Sequence, residues 1–172
     1  MNKLIILRGN SGSGKTSVAK ALQEKFGPNT MLLSHDMIRM NILHVWGAEG
    51  IERSRPLLIE LLKYGRQNSE ITILEGILDS NEYHLLFETA VKEYGENIFA
   101  YYYDLPFEET LKRHSTKPNR NDFGENDMRR WWREKDYLSL IRETILTESI
   151  SLNETVDMIY QKVNISSSYR QE

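Results

Sequence analysis

The chain has no cysteine among its 172 residues. Disulfide bonds, zinc–thiolate centres and cysteine nucleophiles are therefore excluded. No apolar run approaches the roughly 20 residues that a membrane-spanning helix needs. The first three residues lead straight into an apolar segment, without the pattern of a signal peptide. These absences predict a cytoplasmic protein that has no membrane partner.

An excess of charge of one sign is also missing. Lys and Arg number 22 against 25 Asp and Glu, so the net charge is −3. Such a surface does not favour a nucleic-acid partner, and a small-molecule substrate is expected instead. The sequence has no repeats, and its apolar pattern leaves the oligomeric state open. We predict one domain over residues 1–164, with a lid around residues 113–135 and a polar tail over residues 165–172.

A glycine-rich stretch follows the first apolar run and reads Gly-x-x-x-x-Gly-Lys-Thr. A buried strand, a glycine-rich turn and a helix, in that order, are typical of a phosphate-binding loop. Backbone N–H groups at a helix N-terminus hold phosphate oxygens, assisted by the helix dipole. We therefore expect a nucleoside triphosphate here, with Lys15 on the β and γ oxygens and the Thr16 hydroxyl on Mg²⁺. The residues of the stretch are Gly9, Asn10, Ser11, Gly12, Ser13, Gly14, Lys15 and Thr16.

Apolar runs of strand length alternate with segments of helical spacing along the chain. Strands are predicted at residues 4–7, 30–34, 71–74, 98–103 and 144–146. Helices are predicted at residues 15–26, 37–43, 83–94 and 125–137, around Leu111, and from Ser151 to Val163. Gly47 and Gly50 indicate a loop, and the leucines at positions 57, 58, 61 and 62 then have helical spacing. The alternation predicts an α/β fold, a parallel sheet with helices on both faces and ligands at the carboxyl ends of its strands.

Polar residues after the second and third strands are therefore candidates for chemistry. Asp36 can take the proton of an acceptor hydroxyl, or it can cap the next helix. Arg39, three residues later, can bind an anionic substrate group or steady the Asp36 carboxylate. Glu75 ends the third strand, where it can hold Mg²⁺, usually through water, or orient the acceptor; a solvated loop carboxylate is the alternative.

Basic residues follow the fourth strand. Arg113, Lys117 and Arg120 lie where positive charge can close over a triphosphate, and we expect Arg113 and Arg120 to stabilise charge on the transferred phosphoryl group. The alternative is a solvated basic face, which is the interpretation that we favour for Arg129 and Arg130.

Adjacent tryptophans lie in the same region, and on a helix they point about 100° apart. Trp131 and Trp132 can both pack in the core, or one of them, assigned to Trp132, can line the substrate pocket. Asp136 is interpreted as a surface carboxylate. His35 belongs to no metal-ligand pattern, although its position beside Asp36 would let it contact substrate.

With these residues placed, the chain resembles the small P-loop kinases over residues 4–163. It looks most similar to the branch with zeta-toxin-like, chloramphenicol-phosphotransferase-like and polynucleotide-kinase-like enzymes. The resemblance rests on residues 9–16, on the Asp-x-x-Arg element at residues 36–39, and on basic residues around Arg113 that resemble the lid of that branch. Lys117 stands where the branch would have an arginine, and it lacks the planar fork of that residue.

The resemblance implies a three-layer fold with a five-stranded parallel sheet of order 2-3-1-4-5. It also implies ATP and Mg²⁺ as cofactors and Asp36 as the base that acts on the acceptor. Glu75 stands where a strong magnesium-binding pattern has aspartate, so direct metal ligation there stays open. The implied activity is transfer of the γ-phosphoryl group of ATP to a hydroxyl of a nucleoside, sugar, nucleotide sugar or antibiotic.

Other activities stay open from the sequence. One is phosphorylation of a 5′-hydroxyl on RNA or DNA, for which the basic stretch over residues 112–135 would bind the strand. Another is a nucleoside or nucleotide kinase with a stacking aromatic residue. The third is a nucleotide-dependent switch without an acceptor, although no Asn-Lys-x-Asp element for guanine is present.

Overall fold

The computed structural model of the chain describes residues 2–116 and 121–168. Five parallel strands form one sheet in the order β2-β3-β1-β4-β5. The sheet order that the resemblance implied is therefore confirmed. The strands are β1 Lys3–Gly9, β2 Thr30–Ser34, β3 Ile71–Gly76, β4 Ile98–Tyr103 and β5 Glu143–Leu146.

Helices connect the strands and cover the sheet. They are α1 Lys15–Phe26, the single turn α2 His35–Met37, α3 Gly47–Asn68, α4 His84–Tyr94, α5 Phe107–Ser115, α6 Glu125–Trp131 and α7 Leu152–Ser168. A π-helix, Ile38–Leu43, continues α2, and a short 3₁₀ turn, Gly95–Asn97, follows α4. No helix within the described ranges has the length and apolar character needed to cross a membrane.

Two apolar cores lie on opposite faces of the sheet. Leu4 and Ile6 of β1 pack on one side with residues of α3 and α4, such as Leu58 and Phe87. The alternate residues of β1 pack on the other side against α1 and α7. A central strand that is buried on both faces must be apolar at successive positions, which is why the first apolar run is continuous.

The register of the strands brings the polar candidates to one edge. Glu75 of β3 lies beside Leu7 of β1 and beside Ser34 of β2. Gly9, the last residue of β1, lies beside Tyr103 of β4. The phosphate-loop stretch and the residues that follow β2 and β3 therefore emerge together at the carboxyl edge of the sheet.

Several predicted elements differ from the structure. Gly50 lies inside α3, not in a loop, because the helix begins close to the preceding chain: a Cβ on Gly50 would stand 3.1 Å from the Val45 carbonyl oxygen. Residues 38–43 form a π-helix instead of an α-helix. The helix predicted over residues 125–137 ends at Trp131, and α7 continues past Val163 to Ser168.

The last helix begins as the sequence predicted. The Ser151 hydroxyl accepts from the Glu154 N–H at 3.3 Å, and the Glu154 carboxylate accepts from the Ser151 N–H at 2.9 Å. This reciprocal pair is a capping box, which satisfies two N–H groups that a helix start otherwise leaves without partners.

Candidate active site

The stretch over residues 9–16 forms a tight loop between β1 and α1. Gly9, Gly12 and Gly14 all have positive φ angles, of 140°, 81° and 100°. A Cβ on Gly12 would lie 2.5 Å from the Thr110 carbonyl oxygen, so the loop packs directly on α5. Only glycine combines this backbone conformation with such close approach. The α1 N-terminus therefore faces the carboxyl edge of the sheet, as the motif predicts.

Lys15 is buried against the loop that precedes it. Its Nζ donates to the Asn10 carbonyl oxygen at 2.8 Å and to the Ser13 hydroxyl at 3.1 Å. These bonds hold the ammonium over the concave side of the loop. The positive charge of Lys15 therefore lies beside the loop, where it suits contact with phosphate oxygens.

Glu75 joins the phosphate loop to the end of β2. One of its carboxylate oxygens accepts from the Thr16 hydroxyl at 3.2 Å and from the Ser34 hydroxyl at 2.5 Å. The carboxylate is buried, so the alternative of a solvated loop carboxylate is wrong. Burial raises the pKa of Glu75, and the Lys15 charge and the two hydroxyl hydrogen bonds oppose that change.

The donors around Glu75 fit a magnesium ion held partly through water. Mg²⁺ prefers oxygen ligands, keeps several waters, and uses only one or two carboxylates. Thr16 and Glu75 supply a hydroxyl and a carboxylate that touch each other. Within the described ranges no group of three or more His, Cys, Asp or Glu side chains forms a metal site. The predicted metal role of Thr16 and Glu75 stays a prediction.

Asp36 and Arg39 follow β2 directly, in α2 and the π-helix. The Asp36 side chain is 66% exposed, and its Oδ1 lies 3.9 Å from Nδ1 of the His35 ring. The helix begins at His35, so Asp36 lies inside its first turn and does not cap it. Arg39 is half-buried, and its Nε has neither solvent access nor a hydrogen-bond partner within the described chain.

His35 is buried beneath Asp36, where the sequence interpretation had assigned it no structural role. Its Nε2 bonds the Tyr83 hydroxyl, while its Nδ1 has no partner among the described residues. Burial lowers the pKa of His35 from 6.5 to about 4. The negative charge of Asp36 opposes this decrease, whereas the positive charges of Arg39 and Lys15 add to it. The ring is therefore neutral at pH 7, and a histidine directly after an apolar strand was the only sequence signal for it.

Arg113 reaches the phosphate loop from α5. It donates to the Ser13 carbonyl oxygen at 3.0 Å and to the Glu109 carboxylate at 2.7 Å. The guanidinium therefore lies beside the loop with one hydrogen-bonded edge on the protein. The other lid candidates, Lys117 and Arg120, lie outside the described residues.

The two tryptophans pack around α5 and α6. The Trp132 ring lies edge-on to Phe107, with centroids 5.1 Å apart, and its Nε1 donates to Glu134. Trp131 lies edge-on to Phe123. The position of Trp132 is on the lid side of the site, and its predicted contact with substrate stays a prediction.

Asn10 has a structural role that the motif alone did not indicate. Its side chain bonds the Arg133 backbone through Nδ2 and Oδ1, both at 2.7 Å. Arg133 in turn donates to the Asp79 carboxylate at 2.6 Å. We call the two hydrogen bonds between Asn10 and Arg133 the Asn10 clamp. The chain turns back after Trp131 to reach this clamp, so α6 is shorter than the predicted helix over residues 125–137.

A buried arginine lies at the same edge of the sheet. Arg8 is fully buried and pairs with Asp136 at 2.6 Å and Glu143 at 2.9 Å, and it also donates to the Leu78 carbonyl oxygen. The Asp136 side chain is only 13% exposed, so its interpretation as a surface carboxylate is wrong. The physical reason is distant in sequence: Arg8 needs a carboxylate because a buried unpaired guanidinium is very unfavourable.

A cavity of about 340 Å³ adjoins the phosphate loop. Gly12, Ser13 and Gly14 form one side, Arg113 forms another, and the chain between β5 and α7 closes it with Glu148 and Ser151. This volume falls within the usual range for small-molecule and cofactor sites, which starts at roughly 300 Å³. A nucleoside attached to phosphates on the loop would fit here.

Comparisons with known proteins bear on the fold. No protein-family model matches the chain, and no curated protein matches it. Three of the similar solved structures are a gluconokinase from Sinorhizobium meliloti 1021, the APS kinase of Mycobacterium tuberculosis with AMPPNP and APS, and shikimate kinase from Acinetobacter baumannii with shikimate.

These likenesses extend over nearly the whole length of each pair. The gluconokinase has a TM-score of 0.63 at 15% identity, covering 99% of this chain and 98% of that one. The APS kinase has a TM-score of 0.62 at 20% identity, covering 93% of this chain and 96% of that one. The shikimate kinase has a TM-score of 0.58 at 18% identity, covering 100% of this chain and 97% of that one. Together with the five-stranded order and the glycine-rich loop, they show that this chain has the α/β fold of the P-loop kinases.

Proposed function

We propose that the protein transfers the γ-phosphoryl group of ATP to a hydroxyl of a small molecule, with Mg²⁺ as cofactor. A single observation carries the proposal. The hydroxyls of Thr16 and Ser34 both donate to one Glu75 oxygen, which joins the phosphate loop to the strand end just before Asp36. A phosphate-binding loop and an exposed carboxylate are thus placed side by side, which is the arrangement that phosphoryl transfer between two substrates needs.

Each residue has a defined task in this proposal. The backbone of residues 9–16 and Lys15 hold the triphosphate, and Arg113 stabilises negative charge on the transferred group. Asp36 accepts the proton of the acceptor hydroxyl, and Arg39 binds the acceptor. Mg²⁺, when bound at Thr16 and Glu75, would neutralise charge on the phosphate oxygens. Arg120, outside the described residues, remains a proposed second lid arginine.

The pairing of basic residues supports a small acceptor over a nucleic-acid strand. In the lid region Arg113 pairs with Glu109, Arg129 with Glu125, Arg130 with Asp127, and Arg133 with Asp79. Binding of a nucleic-acid strand depends on cations that neutralise its phosphates. Among the described residues of this stretch, most of the positive charge is therefore already paired with carboxylates. A cytoplasmic location, with a ready supply of ATP, belongs to the same proposal.

A phosphate-transfer screen tests the function. γ-labelled ATP with Mg²⁺ is supplied with pools of sugars, sugar acids, nucleosides, nucleotide sugars, aminoglycoside and phenicol antibiotics, and 5′-hydroxyl oligonucleotides, with Lys15→Ala as the blank. We expect label in one small-molecule pool and none with the variant. Label in the oligonucleotide alone would replace the proposal with a polynucleotide kinase. ATP hydrolysis without any labelled acceptor would favour a nucleotide-dependent switch.

A further inference from the structure

Two guanidinium groups beside the Asp36 end of the site lack partners. Arg39 of the π-helix and Arg55 of α3 are both half-buried. Neither makes an ion pair or a side-chain hydrogen bond to any residue that the structure describes. The Nε of Arg39 is in addition shielded from solvent. Buried donors in native proteins nearly always have an acceptor, so the Arg39 Nε is available to an acceptor that a ligand brings.

Most other arginines of the described chain have a partner; the exposed Arg142 has no ion pair there, but unlike Arg39 and Arg55 it lies in solvent. Six of them pair with a carboxylate: Arg8, Arg53, Arg113, Arg129, Arg130 and Arg133. Even the exposed Arg53, two residues before Arg55 on the same helix, pairs with Glu49 at 2.8 Å. Arg55 has isoleucine four residues away on either side, and Glu52, three residues before it, makes no ion pair with it.

The positive charges of Arg39 and Arg55 both affect the hydroxyl of Tyr83. Both positive charges oppose the rise that burial causes in the pKa of the Tyr83 hydroxyl. That hydroxyl bonds the ring of His35, which Arg39 and Lys15 also influence. Geometry agrees: Arg39 lies one helical turn after His35, and the Ser54 hydroxyl, next to Arg55 in the chain, is 3.5 Å from the Tyr83 hydroxyl. Arg39 and Arg55 therefore both lie near the Tyr83–His35 pair.

Carboxylates are near this pair but do not contact the two arginines. The charge of Asp36 raises the pKa of His35, and the charge of Glu82 raises the pKa of Tyr83. Neither carboxylate lies within the 4.0 Å that defines an ion pair with Arg39 or Arg55. The hydrogen-bonding edges of both guanidinium groups are therefore unused by the described protein. The planar fork of a guanidinium matches a carboxylate or a phosphate with two parallel hydrogen bonds.

We propose that the phosphoryl acceptor carries an anionic group, a carboxylate or a phosphate, beside its hydroxyl, and that Arg39 and Arg55 bind it. This inference rests on the proposed function. Asp36 and Arg39 lie three residues apart within successive helical turns, so the hydroxyl and the anionic group of the acceptor are close in space. Hydroxy acids and sugar or nucleoside phosphates meet this description, whereas neutral sugars and phenicols do not.

Matched acceptors that differ by one anionic group test the proposal. For the carboxylate, gluconate is compared with glucose, and glycerate is compared with glycerol. For the phosphate, glucose 6-phosphate is compared with glucose, and a nucleoside 5′-monophosphate is compared with its nucleoside. We expect label in at least one anionic member, with kcat/KM about 10-fold to 100-fold or more above its neutral counterpart, the range of a charged hydrogen bond. The arm that responds identifies the anion.

Variants show whether these two residues cause the preference. Arg39→Gln and Arg55→Gln should each raise the KM of the anionic acceptor about 10-fold or more, with the KM of ATP unchanged. Arg53→Gln on the same helix is the matched control and should behave as the wild type. Melting temperatures with ADP and Mg²⁺ on the loop give a second measurement: the anionic member should raise the value, and neither Arg39→Gln nor Arg55→Gln should retain that rise.

Failure of this proposal differs from failure of the proposed function. Equal labelling of neutral and anionic members, or unchanged KM values in both variants, would overturn the anionic acceptor while the kinase activity stands. Bound ATP with no labelled acceptor in any pool would overturn the kinase activity and this inference with it. Equal rises in melting temperature with neutral and anionic members would contradict the inference independently of turnover.

Discussion

The side chain of Asn10 holds the backbone of Arg133 on both its donor and its acceptor side. Nδ2 donates to the Arg133 carbonyl oxygen and Oδ1 accepts from the Arg133 N–H, both at 2.7 Å. Arg133 also donates to Asp79 in the loop after β3. One residue of the phosphate loop is thereby joined to the chain that follows α6, and through it to the loop after β3.

Replacing Asn10 by alanine tests this clamp. Asn10→Ala removes two hydrogen bonds to a backbone segment, so the free energy of unfolding should fall by about 1–3 kcal/mol. ATP should also bind more weakly, because the loop loses its anchor. Urea unfolding and calorimetric titration with ATP·Mg²⁺ measure the two effects.

The control for Asn10 is another asparagine. Asn68→Ala removes one exposed hydrogen bond, to the Tyr64 carbonyl oxygen. It should change the free energy of unfolding by no more than about 0.5 kcal/mol, as is usual at the surface. Equal stability and ATP affinity of the two variants would contradict the clamp.

Two glycines separate backbone strain from close packing. Gly12 and Gly27 have nearly the same φ, 81° and 82°, but a Cβ would meet the Thr110 carbonyl oxygen at 2.5 Å only at Gly12. Gly27 has φ 82° and ψ −153°, a region that only glycine adopts readily, so Gly27→Ala should cost about 1–3 kcal/mol in unfolding free energy through strain alone. Gly12→Ala should cost more and should also weaken ATP binding, measured by titration. Similar losses in both variants would show that contact with α5 is unimportant.

Arg8 has a structural role that its replacement would reveal. Arg8→Met leaves the carboxylates of Asp136 and Glu143 buried without their partner, so the free energy of unfolding should fall by about 3–5 kcal/mol. Adding Glu143→Gln should restore part of the loss, because one of the unpaired charges is then neutral. Urea unfolding measures both. A single variant within about 1 kcal/mol of the wild type would contradict the role.

The raised pKa of Glu75 predicts that the stability of the protein depends on pH. Because burial raises its pKa in the folded protein, the folded state binds a proton that the unfolded state has already lost, and stability falls as pH rises above about 4.5. Glu75→Gln removes this term and still offers an oxygen to Thr16 and Ser34. The unfolding free energy of the variant minus that of the wild type should therefore increase from pH 4 to pH 7.

The same variant separates stability from function. Glu75→Gln should lower magnesium-dependent transfer while the protein is at least as stable as the wild type at pH 7, since a buried charge has been removed. Unfolding curves at several pH values and initial transfer rates at several Mg²⁺ concentrations measure these effects. A stability difference that stays constant as pH rises would show that ionisation of the carboxylate has no cost in the fold, and one that shrinks would show that the fold lowers the pKa of Glu75; either result would contradict the prediction.

Local patterns predicted much of the fold. All five strands and α1 were found because apolar runs, glycine turns and capping residues are read within a few positions. The phosphate loop was also a local motif. Features that depend on distant partners were missed: Arg8 meets Asp136 128 residues away, and Asn10 meets Arg133 123 residues away.

The acceptor side was the least predictable part of the site. Asp36 and Arg39 were identified by their spacing after β2, but Arg55 and Tyr83 come from other helices and converge there only in three dimensions. Helical spacing makes Arg55 look like any surface arginine, and Tyr83 like the start of a helix. Their meeting depends on how α3 and α4 pack on the sheet, which no local pattern reports.

The most direct test of the account is the single-turnover rate of phosphoryl transfer by Asp36→Asn on the acceptor that the screen identifies. We expect the rate to fall by about 100-fold to 10,000-fold, the usual contribution of a general base, while the Kd of ATP·Mg²⁺ stays that of the wild type. Lys15→Ala provides the blank. Transfer by Asp36→Asn at the full rate of the wild type would contradict the assignment of Asp36 and, with it, the proposed geometry of the site.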